Sequence, residues 1–288
     1  MNNRAGSPGA AMAAIDLYDV SSVIADFDAQ FADFRAASAR TRQTLRARRD
    51  IAYGPAPAQR LDLYFPPGAA AGLPIHMFIH GGYWRAQVKE DYAFVADGIT
   101  AAGAIAAIVE YTLMPGARME SLVSETRAAL AWLAAYAGEF GGDARRLTAS
   151  GHSAGGHLVT YLGARGPHEA ALPAPLPQAV LALSGIYDLT PITTSYLQPQ
   201  LHLTQEEVAA WSPRDATPAP GVRFGIVVGG EETAPFHAQA DAYAAHLEAS
   251  GAPFFQATPA GEDHMSLLRQ MARPGSAVWG LLAATIAG

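Results

Sequence analysis

Arg146-Leu147-Thr148-Ala149-Ser150-Gly151-His152-Ser153-Ala154-Gly155-Gly156-His157-Leu158 is the stretch whose reading decides the fold. Arg146 to Ala149 reads as a short buried strand and Ala154 to Ala164 as a helix. Between them Gly151 to Gly155 matches G-x-S-x-G. A serine on a tight strand-to-helix turn is held on a strained elbow at the edge of a sheet. The flanking glycines are needed because the turn is tight and neighbouring strands approach closely. The helix opening at Ala154 points its free N–H groups and positive dipole end at that serine. The motif alone would pass for an ordinary Gly-rich turn; its strand–turn–helix setting makes Ser153 a candidate nucleophile.

Working outward, strand and helix signals alternate. Ile75 to Ile79, Ile105 to Glu110, Ala179 to Leu183, Phe224 to Val228 and Phe254 to Ala257 read as strands. Asp91 to Ala102, Glu120 to Tyr136, Phe236 to Ala249 and Ser276 to Ile286 read as helices. This order predicts an α/β fold with a mostly parallel sheet of about eight strands, covered by helices on both faces. Arg49 to Tyr53 and Arg60 to Phe65 would form an antiparallel edge. Ahead of them, Val23, Phe27, Phe31 and Phe34 recur at helical steps, predicting N-terminal helices that pack on the core or also wall a substrate entrance. Leu189 to Gly221 breaks the rhythm with five prolines and a helical piece from Thr204 to Trp211, where Thr204 and Glu207 form a capping box. So long an excursion is usually functional or disordered. Its apolar content, including Tyr196, Leu201, Val208 and Trp211, predicts an ordered lid over residues 189–221. One domain over residues 15–288 is expected, after a disordered segment 1–14.

Composition narrows the function classes. The chain has 288 residues and no cysteine, and its 19 basic against 26 acidic side chains leave a charge of −7. A thiol nucleophile, a cysteine-based zinc site and a disulfide are excluded. The acidic balance argues against nucleic acid. Arg46, Arg48 and Arg49, the densest basic cluster, are expected at a solvated helix end. No apolar run is long enough for a membrane span. Residues 1–14 lack the pattern of a signal peptide, so a cytoplasmic enzyme is the simplest expectation. No histidine pair has zinc-ligand spacing, and neither a metal nor a cofactor is expected. The oligomeric state, a homodimer included, is left open.

Three further segments complete a candidate site. His80-Gly81-Gly82-Tyr83-Trp84 follows a strand and fits a loop that supplies oxyanion-hole N–H groups. Gly81 or Gly82 would donate one and Ala154 another, with His80 as an anchor of the loop and Trp84 as a pocket wall. The acid should follow the strand Phe224 to Val228, where Glu231 and Glu232 compete; Glu232 is preferred. The base should follow the last strand, which selects His264, leaving Asp263 as a turn or capping residue. The order Ser153, Glu232, His264 matches the α/β-hydrolases and neither the chymotrypsin nor the subtilisin order. His157 is expected to be buried and hydrogen-bonded, His202 to sit in the lid within reach of substrate, and His76 to be incidental.

The chain resembles the arylformamidase (kynurenine formamidase) branch of the α/β-hydrolase superfamily, near the hormone-sensitive-lipase-like esterases. The resemblance covers roughly residues 15 to 285. It is carried by Tyr53-Gly54-Pro55, Leu61-Asp62-Leu63-Tyr64, His80 to Trp84, Tyr111-Thr112-Leu113-Met114-Pro115 and Gly151 to His157. Ser184-Gly185-Ile186-Tyr187-Asp188-Leu189, Trp211-Ser212-Pro213, Gly229 to Glu232 and Asp263-His264 extend it. HGG followed by aromatic-Trp is more specific to this branch than G-x-S-x-G. The family's G-x-x-D/E step, four positions before Phe236, puts the acid on Glu232, where many members carry Asp. The resemblance implies a Ser-His-Glu hydrolase of a small molecule, with an aryl formamide such as N-formyl-kynurenine as favoured substrate. A broad short-chain carboxylesterase is the runner-up, and a non-catalytic binding module on the same fold is the alternative of another class. For a formamide, Tyr83, Trp84 and Tyr187 are expected to close the acyl pocket, and Tyr196 and Trp211 to cover the ring of the leaving amine.

Overall fold

The structure is a computed structural model that describes residues 15–68 and 71–288. The segment 1–14, expected to be disordered, lies outside the described residues. Ten strands follow in chain order: β1 Arg46–Ala52, β2 Arg60–Phe65, β3 Leu73–Ile79, β4 Ile105–Val109, β5 Gly142–His152, β6 Ala164–Arg165, β7 Ala179–Leu183, β8 Thr217–Pro218, β9 Arg223–Val227 and β10 Phe254–Ala257. The helices are α1 Val20–Val23, α2 Phe27–Thr44, α3 Val95–Ala101, α4 Met119–Tyr136, α5 Ala154–Gly163, α6 Gln198–Leu201, α7 Gln205–Trp211, α8 Ala234–Ala249, α9 His264–Met271 and α10 Ala277–Ala287. No described helix is long and apolar enough to cross a membrane.

The main sheet has eight strands in the order β1-β2-β4-β3-β5-β7-β9-β10. β2 pairs antiparallel with β1 and with β4, and the remaining neighbours run parallel. The sheet is therefore mostly parallel, with an antiparallel edge. Period-2 alternation sorts its side chains into two cores. Ile75, Met77, Ile79, Ile105, Ala107 and Val109 face one way, against Leu122 and Leu130 of α4, Leu158 and Leu162 of α5, and Tyr243 of α8. Phe78, Ala106, Ile108, Leu181 and Leu183 face the other way, against Phe34 of α2, Ile99 of α3, Leu268 of α9 and Leu282 of α10. Both faces being covered explains why the central strands are near-continuous apolar runs.

Two expectations about the elements are corrected, and one helix is added. Arg46, Arg48 and Arg49 lie on β1, not at a helix end, because the chain turns extended at Leu45. β1 is an edge strand, where charged side chains discourage pairing with another chain. The helix expected from Asp91 is a 3-10 turn, Lys89–Tyr92, followed by the shorter α3. The helix α9 has no counterpart in the sequence reading.

The excursion 189–221 is built from a 3-10 turn, Thr190–Thr194, then α6, α7 and β8, which pairs with β6. Thr204 caps α7 with the expected box to Glu207. Leu197, Leu201, Val208 and Trp211 are buried, so the segment has its own apolar anchorage. Arg118, just ahead of α4, donates to the carbonyls of Leu201 and His202 and to the Glu207 carboxylate, pinning the segment to the body.

His76 is not incidental. It stands on β3 with its two ring nitrogens bonded to Thr148 Oγ1 and Ser150 Oγ on β5, at 2.8 and 2.7 Å. Burial pushes its pKa down to about 3. It is a neutral cross-strand tie.

Candidate active site

Parallel pairing brings the carboxyl ends of β3, β5, β7, β9 and β10 to one edge of the sheet. The segments that leave those ends carry His80 to Trp84, Ser153, Ser184, Glu232 and His264. Backbone bonds stitch them side by side: Ser153 N–H donates to Leu183 O at 2.9 Å, Ser184 N–H to Val227 O at 2.7 Å and Val228 N–H to Ala257 O at 3.1 Å.

Ser153 has φ 58° and ψ −119°, left-handed backbone for a residue with a side chain. Such a conformation costs on the order of 1–3 kcal/mol and persists only where the surroundings enforce it. The glycines enforce it here. A Cβ on Gly151 would lie 2.0 Å from Gly155 O, and one on Gly155 would lie 2.0 Å from Ile79 O. No other residue fits either position. Gly81 is pressed against the elbow as well, since a Cβ there would meet Ser153 Cβ at 3.1 Å and His152 O at 3.0 Å. The N–H groups of Gly81, Gly82 and Ala154 find no protein acceptor among the described residues.

Glu232 and His264 are brought together. Glu232 Oε2 accepts from His264 Nδ1 at 2.8 Å, and both side chains are buried. A carboxylate at that distance fixes the proton on Nδ1 and leaves Nε2 as the basic nitrogen. Glu232 Oε1 accepts from Ser184 Oγ at 2.5 Å and from Gly229 N–H at 2.8 Å, so its orientation is fixed from both ends. Glu231, its rival, is exposed. Asp263 caps α9, accepting from Met265 and Ser266 N–H groups, and thereby starts the helix at His264. No hydrogen bond joins Ser153 Oγ to His264 among the described residues. Catalytic contacts of this kind often tighten only when substrate arrives.

Two supporting residues were not assigned from the sequence. Ser184, at φ 51°, holds the acid. Its signal was its place immediately after β7, on the working edge. His152 donates from Nε2 to the backbone carbonyl of His264 at 2.8 Å, which ties the elbow directly to the base. His80 is the anchor expected: Nε2 meets Glu110 Oε1 at 2.9 Å and Nδ1 meets Gly81 O at 2.8 Å. Burial pushes the Glu110 carboxyl up, but hydrogen bonds from His80 and the Lys89 and Tyr111 N–H groups outweigh it and hold the pKa low.

The aromatic residues divide. Tyr83 donates to Tyr18 O and meets Tyr196 edge-on, with ring centroids 6.3 Å apart; Tyr196 is only half-buried, so this pair sits where the lid meets the loop. Trp84 is fully buried and donates Nε1–H to His157 Nδ1 at 3.3 Å, while His157 donates from Nε2 to Trp211 O at 2.8 Å. Tyr187 is buried and stacked on Tyr243 of α8 at 4.3 Å. Trp84 and Tyr187 therefore have no free face to offer an acyl pocket, because protein atoms already consume it. Trp211 packs on Tyr161 and lines a cleft of about 1010 Å³ between α4, α7 and the 168–175 loop. None of Ser153, Glu232 and His264 lines that cleft. His202, expected within reach of substrate, is exposed at the end of α6.

His157, as expected, is buried and bonded, and burial lowers its pKa to about 4. His76 and His157 thus stay neutral in the fold at pH values where an unfolded chain would protonate them. Stability should be full above pH about 6.5, the unfolded value, and fall as the pH drops toward 4, by up to about 1.4 kcal/mol per pH unit for each histidine. Urea unfolding between pH 7 and 4.5 measures this slope. His157→Gln should flatten it by about one proton, and an unchanged slope would remove His157 as a source.

A serine elbow, a carboxylate-oriented histidine and converging N–H groups can together perform nucleophilic acyl transfer. Comparison with known proteins agrees. The family model described as BD-FAE matches residues 61–209, just over half of the chain. The chain belongs to the BD-FAE family. Kynurenine formamidase of Danio rerio is 27% identical over 81% of this chain and 79% of its own length. Esterase LipC of Mycobacterium tuberculosis is 34% identical, over 49% of this chain and 36% of its own. Among solved structures, a candidate thioesterase from Silicibacter superposes with a TM-score of 0.79 at 26% identity, covering 94% of this chain and 98% of the other. This BD-FAE protein is a hydrolase with the α/β-hydrolase fold, on the arylformamidase-like branch near the hormone-sensitive-lipase-like esterases.

Proposed function

We propose that the chain is a serine hydrolase that cleaves an aryl formamide, such as N-formyl-kynurenine, to formate and the free amine. The observation that carries this reading is the 2.8 Å bond between His264 Nδ1 and Glu232 at the edge that also bears the Ser153 elbow. His264 Nε2 takes the proton of Ser153 Oγ as that oxygen attacks the formyl carbonyl. The N–H groups of Gly81, Gly82 and Ala154 receive the oxyanion. His264 then gives its proton to the leaving amine, and water, activated in turn by His264, releases formate from Ser153. Each oxyanion donor is worth about 2.7–4 kcal/mol in the transition state. This chemistry calls for no metal or cofactor.

The formamide part has two supports. One is the likeness to the Danio rerio enzyme along most of both chains. The other is confinement: Ser153 is 3% and His264 4% exposed. A formyl carbon carries only hydrogen, so a tight acyl space suits it. On one aryl leaving group, kcat/KM should fall by about tenfold or more per added methylene from formyl to acetyl to butyryl. Equal rates for formyl and butyryl would hand the site to the second reading, a short-chain carboxylesterase, which the local likeness to LipC favours. Labelling of Ser153 by a fluorophosphonate separates both from a non-catalytic binding module.

A further inference from the structure

His80 directly follows β3, opens the oxyanion loop and is fully buried. Both of its ring nitrogens face acceptors. Nδ1 lies 2.8 Å from the carbonyl oxygen of Gly81, and Nε2 lies 2.9 Å from the carboxylate oxygen Oε1 of Glu110. Burial pushes the Glu110 carboxyl up, but the bonds from His80 and from the Lys89 and Tyr111 N–H groups outweigh it and keep it ionised. Neither partner therefore has a proton to give. A neutral imidazole carries one N–H and would turn a lone pair on the other acceptor; only the imidazolium donates on both sides. The surroundings suit a cation. The ring is stacked between Tyr111, with centroids 4.6 Å apart at 19°, and Tyr92, at 5.5 Å and 23°. Aromatic faces are negative and attract positive charge. The ammonium of Lys89, whose N–H also donates to Glu110, is engaged elsewhere by Asp50, Asp62 and Glu90. Glu110 is thus left as the counterion of His80.

The bond to Gly81 O acts beyond that oxygen. Gly81 C=O and Gly82 N–H belong to one planar peptide unit and point in opposite directions. A charged donor on the carbonyl draws electrons through the amide and makes its N–H a stronger donor. The preceding unit is backed in the same way: Tyr111 O–H donates to His80 O at 3.1 Å, behind the Gly81 N–H. The Gly81 and Gly82 N–H groups have no protein acceptor among the described residues, and Gly81 is pressed against Ser153.

We propose that His80 is a positively charged positioning residue of the oxyanion hole: its imidazolium, held by Glu110, polarises the Gly81–Gly82 peptide and strengthens the Gly82 N–H as a donor to the tetrahedral oxyanion. Tyr111, a neutral donor, does the same for the Gly81 N–H with less force. The inference rests on the function proposed above for the role of these N–H groups, and it holds for a formamide and an ester alike.

The charge is read without turnover. Nitrogen-15 NMR of the histidine-labelled protein in neutral buffer, with the His80 signals assigned by their loss in His80→Asn, should show protons on both ring nitrogens. A single ring proton overturns the proposal, whatever the enzyme hydrolyses. The kinetic arm uses formanilide, phenyl acetate and a fluorophosphonate. His80→Asn keeps an N–H near the place of Nδ1 and removes the charge; Glu110→Gln keeps the stacked ring and removes its counterion. Each should lower kcat about tenfold with KM within about twofold, short of the 10²–10³ that a lost donor costs. The rate of fluorophosphonate labelling, which also develops charge on an oxygen in the hole, should fall in parallel. Tyr111→Phe keeps the stack and should cost about threefold; it and Glu110→Gln carry this arm if His80→Asn does not fold. Unchanged kcat and labelling in folded Glu110→Gln, or a loss of kcat matched by an equal rise in KM, overturns the proposal and leaves His80 an anchor of the loop. If formanilide is inert while the ester and labelling rates fall as stated, the formamidase reading fails and His80 keeps its role.

Discussion

Ser153→Ala should fold as the unmodified protein does and lose turnover by a factor on the order of 10⁴–10⁶. The fold is spared because Ser153 is held by its backbone: its N–H donates to Leu183 O and its carbonyl accepts from His157 N–H. Alanine meets the same strain at φ 58°, so the elbow is neither relieved nor worsened. What disappears is the oxygen that would become covalently bound to the acyl group. With the oxyanion donors intact, a small rate above background should persist. Thermal unfolding should match the unmodified protein within about 1 kcal/mol. The initial burst of arylamine or phenol release, and labelling by a fluorophosphonate, should both vanish. Retention of a few per cent of the rate on a good substrate would take the nucleophile role away from Ser153.

How far the sequence reached depended on what each signal encodes. β3, β4, β7 and β9 were legible to within about two residues because strands buried on both faces must be apolar throughout, and the exposed edge strand β10 by its pair of phenylalanines between Pro253 and Pro259. β5 runs further at both ends than Arg146 to Ala149, since its outer residues extend past the core and its last two glide into the elbow. α9 was missed because His264 was weighed as chemistry alone; Asp263, read as a turn or capping residue, does cap the helix that His264 opens. The aromatic residues show the limit most sharply. Tyr83 and Trp84 were readable as belonging to the oxyanion loop, but not by direction. Both take left-handed backbone, φ 49° and 58°, and this turn sends Trp84 inward to a hydrogen bond with His157. Sequence spacing carries no record of such a turn. Ser184 and His152 had positions on the working edge but no assigned role, since a serine after a strand and a histidine in an elbow have many uses; only their partners, Glu232 and the His264 carbonyl, give them one.

The second large effect concerns the acid. Glu232 accepts three hydrogen bonds, from His264 Nδ1, Ser184 Oγ and Gly229 N–H. Glutamine has the same shape but one acceptor oxygen. If its oxygen stays with His264, its NH₂ faces the Gly229 N–H, donor against donor. If the amide flips, the NH₂ faces Nδ1 and drives the histidine proton to Nε2, the nitrogen that must receive the proton of Ser153. Either arrangement removes the charge that would stabilise a protonated His264. Loss of such an orienting carboxylate costs about 10⁴ in kcat, and Glu232→Gln should approach that loss with little change in KM. Glu231→Gln removes an exposed charge that no group among the described residues holds and should change kcat by less than about twofold. Measured side by side, the two amide variants separate the neighbouring carboxylates cleanly, because they alter net charge equally and differ only in what the lost oxygen was bonding. A deeper loss at Glu231 than at Glu232 would transfer the orienting role to Glu231 and make the Ser184 and Gly229 bonds a matter of loop stability alone.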